Sequence, residues 1–529
     1  MRTNFFKYIF ILFVLFISIF AIYTIYFKEE NKQNENLVEE VVEDKQEIKD
    51  LRLGISNFDT INPLLSNNKE VLNIGRLIFE PLITINQNYQ AELCLASECS
   101  KTSPTSYVIK IDNKKKWQDG SPLISKDIQF TIDRLKEGKS AYSYNVERVE
   151  SVEILDESTV KINLFEEIPF FEYNLTFPIM SNNYYLGEDF NNSSKIPIGT
   201  GMFKISEIDG SNVKLSKNEK WWNIDKVNPK VENISIKLYS EIGELYNSFK
   251  LGNIDLFTSS NLNLQNYIGT IGYTKIEFKG RQFDYLAFNC QDKILKNAEV
   301  RKAILSSIDK NNIVSSIYNN QYYISDFPLD YGNFLYTKGE VNNVFNPEQA
   351  KQILANNGWE YKYNRWQKKD GYRNLRLNLT LSVNSSNGAR TLVAENIKTS
   401  LEQIGIKVTI NKLSDSAYKS ALENKNYQMI LTGVYNSYSP NIEAFFGNNN
   451  LQNYNNEEVN RLLSEVETIT DANLLKEKYN RIVQIYEEER PFIGLYRNKQ
   501  TIVKSQNLAG EVLGNNYFSY YKIEDWYRF

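Results

Sequence analysis

Between Val393 and Val434 the spacing of apolar residues changes period three times, and few folds accept that pattern. Val393, Ile397, Leu401 and Ile404 recur at helical intervals, and Gly405 ends the run. IKVTINK follows at once with the two-residue alternation of a strand. SAYKSALENK returns to helical spacing, and YQMILTGV reads as a buried strand. Strands joined through a helix point to a right-handed crossover, so the chain is read as an α/β protein. Other segments agree. SYVIKI (106–111) alternates as a strand, and EVRKAILSSIDKNNIV places Val300, Ala303, Ile304, Ser307 and Ile308 on one helical face. FNPEQAKQILANNGW is a complete helix cassette. Asn346 caps it, Pro347 opens it, Ala350, Ile353 and Leu354 form its stripe, and Gly358 stops it. Neither a repeat of fixed period nor a low-complexity linker separates these segments.

What such a body can do is narrowed by one absence: among 529 residues there is no histidine. Ser-His-Asp and Cys-His nucleophiles, histidine-ligated zinc and the usual proton shuttle at neutral pH are all removed. No GxxxxGK[ST] loop occurs. Gly199 and Gly201 in IPIGTGMFKI lack the third glycine and following helix of a dinucleotide loop. The chain is therefore expected to be no enzyme and to need no cofactor or metal. Its formal net charge is −4, and six basic and nine acidic side chains in residues 1–50 leave the remainder near −1. Without a basic stripe to neutralise phosphates, nucleic acid is not an expected partner. Cys94 and Cys99 lie close together in LCLASECS. They are either a disulfide of an exported protein or small apolar residues beside a strand, and Cys290 stands alone.

The N-terminus supplies an address. Tyr8 to Phe27 is an uncharged run of 20 residues, and about 1.5 Å per residue makes about 30 Å of helix, enough to cross a bilayer. Arg2 and Lys7 precede it and glutamates follow, which places Met1 inside and the body outside. Tyr26 and Phe27 stand where a cleavage site would need small residues, so the segment is read as an uncleaved anchor. Residues 28–50 are charged and nearly free of aromatics, and read as an acidic tether.

The stretch KKWQDGSPLISKDIQFTIDR (115–134) ties these readings together. Asp119-Gly120 and Pro122 turn the chain, and Ser125 is read as the cap of a helix with Asp127 in its first turn. Ile128, Ile132 and Leu135 form the inner face, and Trp117 covers the junction. WQDGSPLISKDIQFTIDR resembles a signature of the bacterial oligopeptide-binding proteins, the extracellular solute-binding subunits of peptide-importing ABC transporters. Further matches follow in that family's order: FDTINPLL, LIFEPLITIN, IPIGTGMFKI, LSKNEKWWN, LGNIDLF, LAFNC, NPEQAKQILANNGW, LEQIGIKVTI and ERPFIGLY. Together they span about residues 51 to 510. Trp221 and Trp222 within them are read as packing residues.

The resemblance implies a two-lobe periplasmic-binding-protein-like fold with a hinged cleft and an extra subdomain, following residues 1–27 (anchor) and 28–50 (tether). Lobe I would take 51–84, 196–278 and 495–529, the subdomain 85–195, and lobe II 279–494. The implied function is capture of a short peptide or related small solute for delivery to ABC permease subunits, by a monomer held on the outer face of a bacterial cell membrane. A membrane-anchored peptide sensor, a surface protein with a degenerate cleft, and a nickel or haem carrier are the alternatives, the last disfavoured by the missing histidine. By the same resemblance Asn67, Asn68 and Lys69 would border the cleft on one side and Tyr435, Asn436, Ser437 and Tyr438 on the other, with Tyr142 and Tyr144 facing it from the subdomain. Where relatives show Gly-Trp-x-x-Asp-Tyr, this chain has Gly433 to Tyr438 with Val434 and Ser437 in place of the tryptophan and the acid. Ser437 cannot pair with a peptide ammonium, and Glu443 is the nearby acid that could substitute.

Overall fold

The segments that change period come together in one mixed sheet of seven strands. In the computed structural model, which describes residues 47–529 apart from 262 and 340–343, its order is Leu256–Ser259, Phe492–Ser505, Tyr273–Phe288, Met429–Tyr435, Asn378–Asn384 and Lys407–Leu413, with Tyr322–Ile324 also pairing to Phe492–Ser505. Lys407–Leu413 and Met429–Tyr435 do not touch each other. Both lie parallel to Asn378–Asn384, which separates them. That central strand, LTLSV flanked by asparagines, is absent from the sequence reading. The expected cassettes form where they were expected: Gly388–Gln403 buries Val393, Ile397 and Leu401 and is followed by Gly405 at φ +89°. Asn346 caps Pro347–Asn356 by accepting from Gln349 N at 3.0 Å.

Two four-stranded sheets are the next largest in the unit Lys49–Arg528. Asp50–Ser56 runs parallel to Asn233–Tyr239, and Asn212–Lys217 and Phe203–Ile208 extend that sheet antiparallel. An antiparallel sheet of Ala96–Ser103, Ser106–Ile111, Thr159–Leu164 and Val149–Asp156 packs against the helix Ser125–Lys136. The long strands Tyr273–Phe288 and Phe492–Ser505 link separate cores. Ile276, Phe278 and Ile502 pack with the core around Leu53 and Ile236, whereas Leu286, Phe288, Ile493 and Leu495 belong to the core around Ile397 and Leu431. A third core of packed rings, with Phe283, Tyr285, Phe445, Tyr486 and Phe492, also takes in Ile85, Tyr89 and Tyr173.

Three sequence expectations need correction. The helical face read in EVRKAILSSIDKNNIV does not reach Ile308: Ala298–Ser307 ends at Ile308 in extended backbone, and Lys310–Tyr318 begins anew where Asp309 accepts from Asn312 N at 3.1 Å. Ser125 does not cap its helix. Its hydroxyl donates to Asp156 O at 2.6 Å, and the carboxylate of Asp127 takes the capping role by accepting from Ile124 N at 3.0 Å. Trp117 does more than cover that junction, since its indole N–H donates to Asp127 at 3.1 Å. Cys94, Cys99 and Cys290 are free thiols, and burial pushes Cys99 up to about 12. The anchor expected at residues 8–27 and most of the tether lie outside the described residues. Among those described, no helix is long and apolar enough to cross a membrane.

One buried cluster predicts an acid limit. Asp326 accepts from Arg490 Nη1 at 2.6 Å and from Lys310 Nζ at 3.2 Å. Burial raises its pKa, but these two cations and their hydrogen bonds outweigh that effect and hold the carboxyl at about 2. A depressed pKa stabilises the fold above the unfolded value of about 3.9 and loses that contribution as pH falls toward 2. Acid titration of unfolding free energy should therefore lose about 2 kcal/mol through this window. Asp326→Asn should be less stable at neutral pH and show a flatter acid limb.

Candidate functional site

Where the long strands pass between cores, a cavity of about 260 Å³ opens. Its first wall is the start of the helix Lys69–Gly75. Asn68 is the N-cap, with its oxygen accepting from Glu70 N (2.9 Å) and Val71 N (3.3 Å) and its amide donating to Ser56 O and Asn57 O. This cap aims the residues on either side of it into the cavity, Asn67 and Lys69, and Lys69 Nζ reaches Gln500 Oε1 at 3.2 Å. Tyr142 and Tyr144 come from a short turn around Ser143–Asn145, and Tyr435 and Tyr438 from the end of Met429–Tyr435 and the loop after it.

Six of the nine residues expected from sequence thus share this lining, and three do not. Asn68 is consumed as the cap and borders an adjoining depression with Asp59. Asn436 is fixed to backbone: its N–H donates to Arg281 O at 3.0 Å and its amide to Pro328 O. Ser437 is exposed, with its hydroxyl 3.4 Å from Ser439 O, and Glu443 is exposed at the start of a short helix. Neither Ser437 nor Glu443 lines the cavity.

The sequence reading missed the residues that set the site's charge. Arg281 sits in a bulge of Tyr273–Phe288, where the pairing with Phe492–Ser505 jumps from Lys279 to Phe283. Gly280 permits the bulge, since a Cβ there would lie 2.0 Å from Asn498 Oδ1, the oxygen that accepts from Gln282 N. Thus re-aimed, the guanidinium lies between two rings, 4.5 Å from the centroid of Tyr435 and 3.9 Å from that of Tyr438. Tyr438 meets Tyr517 edge to face at 5.2 Å, and Arg76, just after the helix Lys69–Gly75, lies 4.2 Å over Tyr517. An arginine beside a glycine within a strand (FKGRQFDYLAF) was the available signal. Burial pushes the hydroxyls of Tyr142 and Tyr517 up, so both stay neutral donors at physiological pH. Among the described residues the lining holds no carboxylate and no thiol. It can grip a polar ligand with cations, amides and ring faces.

The model of the bacterial extracellular solute-binding proteins, family 5, matches residues 91–456. The chain belongs to this family. Among relatives of the family 5 protein is the oligopeptide-binding protein AppA of Bacillus subtilis, 23% identical over 489 residues that cover 87% of this chain and 88% of AppA. Solved structures extend the likeness to the whole fold. The nickel ABC transporter structure from Bacillus halodurans superposes with a TM-score of 0.74 at 18% identity, covering 89% of this chain and 98% of that one. AppA from Bacillus subtilis in complex with a nonapeptide gives 0.52 at 22% identity, covering 91% and 99%. The two-lobe α/β architecture expected from the sequence is therefore that of the family 5 fold.

Proposed function

We propose that the protein captures short peptides in the cavity between its lobes and hands them to the permease of an ABC importer. The supporting observation is the cavity itself, formed jointly by Asn67, Lys69 and Tyr142 on one side and Tyr435 and Tyr438 on the other, at the place where Tyr273–Phe288 and Phe492–Ser505 run from core to core. A site shared by two lobes couples ligand binding to closure, because the ligand gains contacts only when both walls approach it. The name of its Bacillus subtilis relative, an oligopeptide-binding protein, supports a peptide as the solute. In this proposal lobe I comprises 51–84, 196–278 and 495–529, the subdomain 85–195 and lobe II 279–494. Residues 8–27 hold the body to the outer face of the cell membrane.

The test is calorimetric titration of the full-length protein with a pool of short peptides, paired with small-angle scattering. Heat accompanied by a smaller radius of gyration is expected. A protein that neither takes up heat nor compacts with any peptide would overturn the proposal. Deletion of the gene should also lower uptake of a labelled short peptide.

A further inference from the structure

Four buried or half-buried arginines elsewhere in this fold are answered by acids or by several carbonyls. Arg497 pairs with Asp330, Arg490 with Asp326 and Arg390 with Asp284, and Arg301 is wrapped by Leu295 O, Glu489 O and Arg490 O. The two arginines of the cavity are treated differently. Arg281 Nη1 donates to Asn436 O at 2.9 Å and Arg76 Nη1 to Leu72 O at 3.0 Å. Neither has a carboxylate partner among the described residues, and the buried Nε of each has no hydrogen-bond partner at all. Their remaining neighbours are tyrosine rings, which favour a cation but do not neutralise it.

Lys69 adds a third positive charge to a lining without Asp or Glu among the described residues. The acids next to it are already committed. Glu70 accepts from the hydroxyl of Thr258, and Asp59 accepts from Ser66 Oγ and Asn67 N, each at 2.7 Å. A half-buried guanidinium whose buried Nε lacks a partner can still receive a carboxylate, and leaving it unmatched is costly. The same charges would repel a ligand's ammonium.

Resting on the peptide-binding reading above, we propose that the cavity selects peptides of net negative charge, with ligand carboxylates facing Arg76 and Arg281, and does not anchor a free amino terminus. A single terminal carboxylate answers one of three cations, so at least one acidic side chain is required for the match. This accounts for the missing acid in the segment 433–438: the ligand's anion, rather than its amine, is what the protein grips.

The experiment titrates the full-length protein with three tripeptides that differ only at the middle residue, Glu, Gln or Lys, and with the N-acetylated and C-amidated forms of the Glu peptide. The Glu peptide should bind at least about tenfold tighter than the Lys peptide. N-acetylation should change its affinity by less than about threefold, whereas amidation should weaken it. Arg281→Gln and Arg76→Gln should each reduce the Glu-over-Lys preference, and Arg281→Lys should keep much of it. The wild-type panel decides the matter even if a variant fails to fold. Equal or tighter binding of the Lys peptide, or loss of binding on N-acetylation, would overturn the anion preference and leave the peptide function standing. Heat from citrate with none from any peptide would uphold the preference and overturn the peptide function. No heat from any of these would overturn both.

Discussion

Asp330→Ala is expected to remove about 3–5 kcal/mol of unfolding free energy, enough to leave a protein of ordinary stability marginal. Asp330 and Arg497 meet at 2.6 Å with both side chains 0% exposed. The carboxylate also accepts from Ser325 Oγ at 2.8 Å and from Asp326 N at 2.7 Å, so three donors lose their acceptor when it goes, counting Phe327 N at 3.4 Å but not Arg497. Arg497 Nη2 keeps the carbonyls of Phe327 and Pro328, but its charge stays buried and its Nη1 already has no partner. Most of the cost is thus an uncompensated ion rather than a lost bond. This distinguishes the double variant Asp330→Leu with Arg497→Met, which removes both charges and should be clearly more stable than Asp330→Ala alone. Equilibrium urea unfolding of the three proteins measures this. A double variant no better than the single one would show that the hydrogen bonds, not the charge, dominate.

Glu80→Ala should cost about 3 kcal/mol, because it strips the acceptor from two indoles at once. Trp221 Nε1 donates to one carboxylate oxygen at 3.0 Å and Trp222 Nε1 to the other at 2.8 Å. Lys115 lies 4.1 Å over the Trp222 ring and balances the carboxylate electrostatically, while burial itself pushes the Glu80 carboxyl up. Glu80→Gln retains a single acceptor oxygen and should lose roughly half as much. Denaturant midpoints report the ranking. If Glu80→Ala unfolds like wild type, water replaces the carboxylate at both indoles. The pair Trp221–Trp222 is therefore packing with a polar purpose: it ties the LIFEPL segment to the turn after Asn212–Lys217 across 141 residues of chain.

Local chemistry was legible wherever one short segment carries its own signal. The caps at Asn346 and the stop at Gly405 are written in adjacent residues, and the helices and strands between Val393 and Val434 follow from their periods. The break at Ile308–Asp309 was hidden because the apolar stripe continues through it, and only the hydrogen bond of Asp309 to Asn312 N starts a new helix. Gly199 and Gly201 explain themselves in three dimensions: a Cβ would lie 1.8 Å and 2.6 Å from the carbonyl oxygens of Ile78 and Leu77, so their segment is a close backbone crossing and not a phosphate loop.

The sequence by itself determined the α/β class, the helix capped at Asn346, the helix stop at Gly405 and the family. Periodicity, capping and motif order are properties of neighbouring residues, so they can be read along the chain. Only the tertiary structure decided that Asn378–Asn384 separates the two strands of the crossover, that Asn68 is spent as a cap, and that Arg76 and Arg281 face the cavity without an acid. A side chain's charge partner is set by which distant strands pair and where a bulge turns the backbone. For Arg281 that is a register jump against a strand more than 200 residues away.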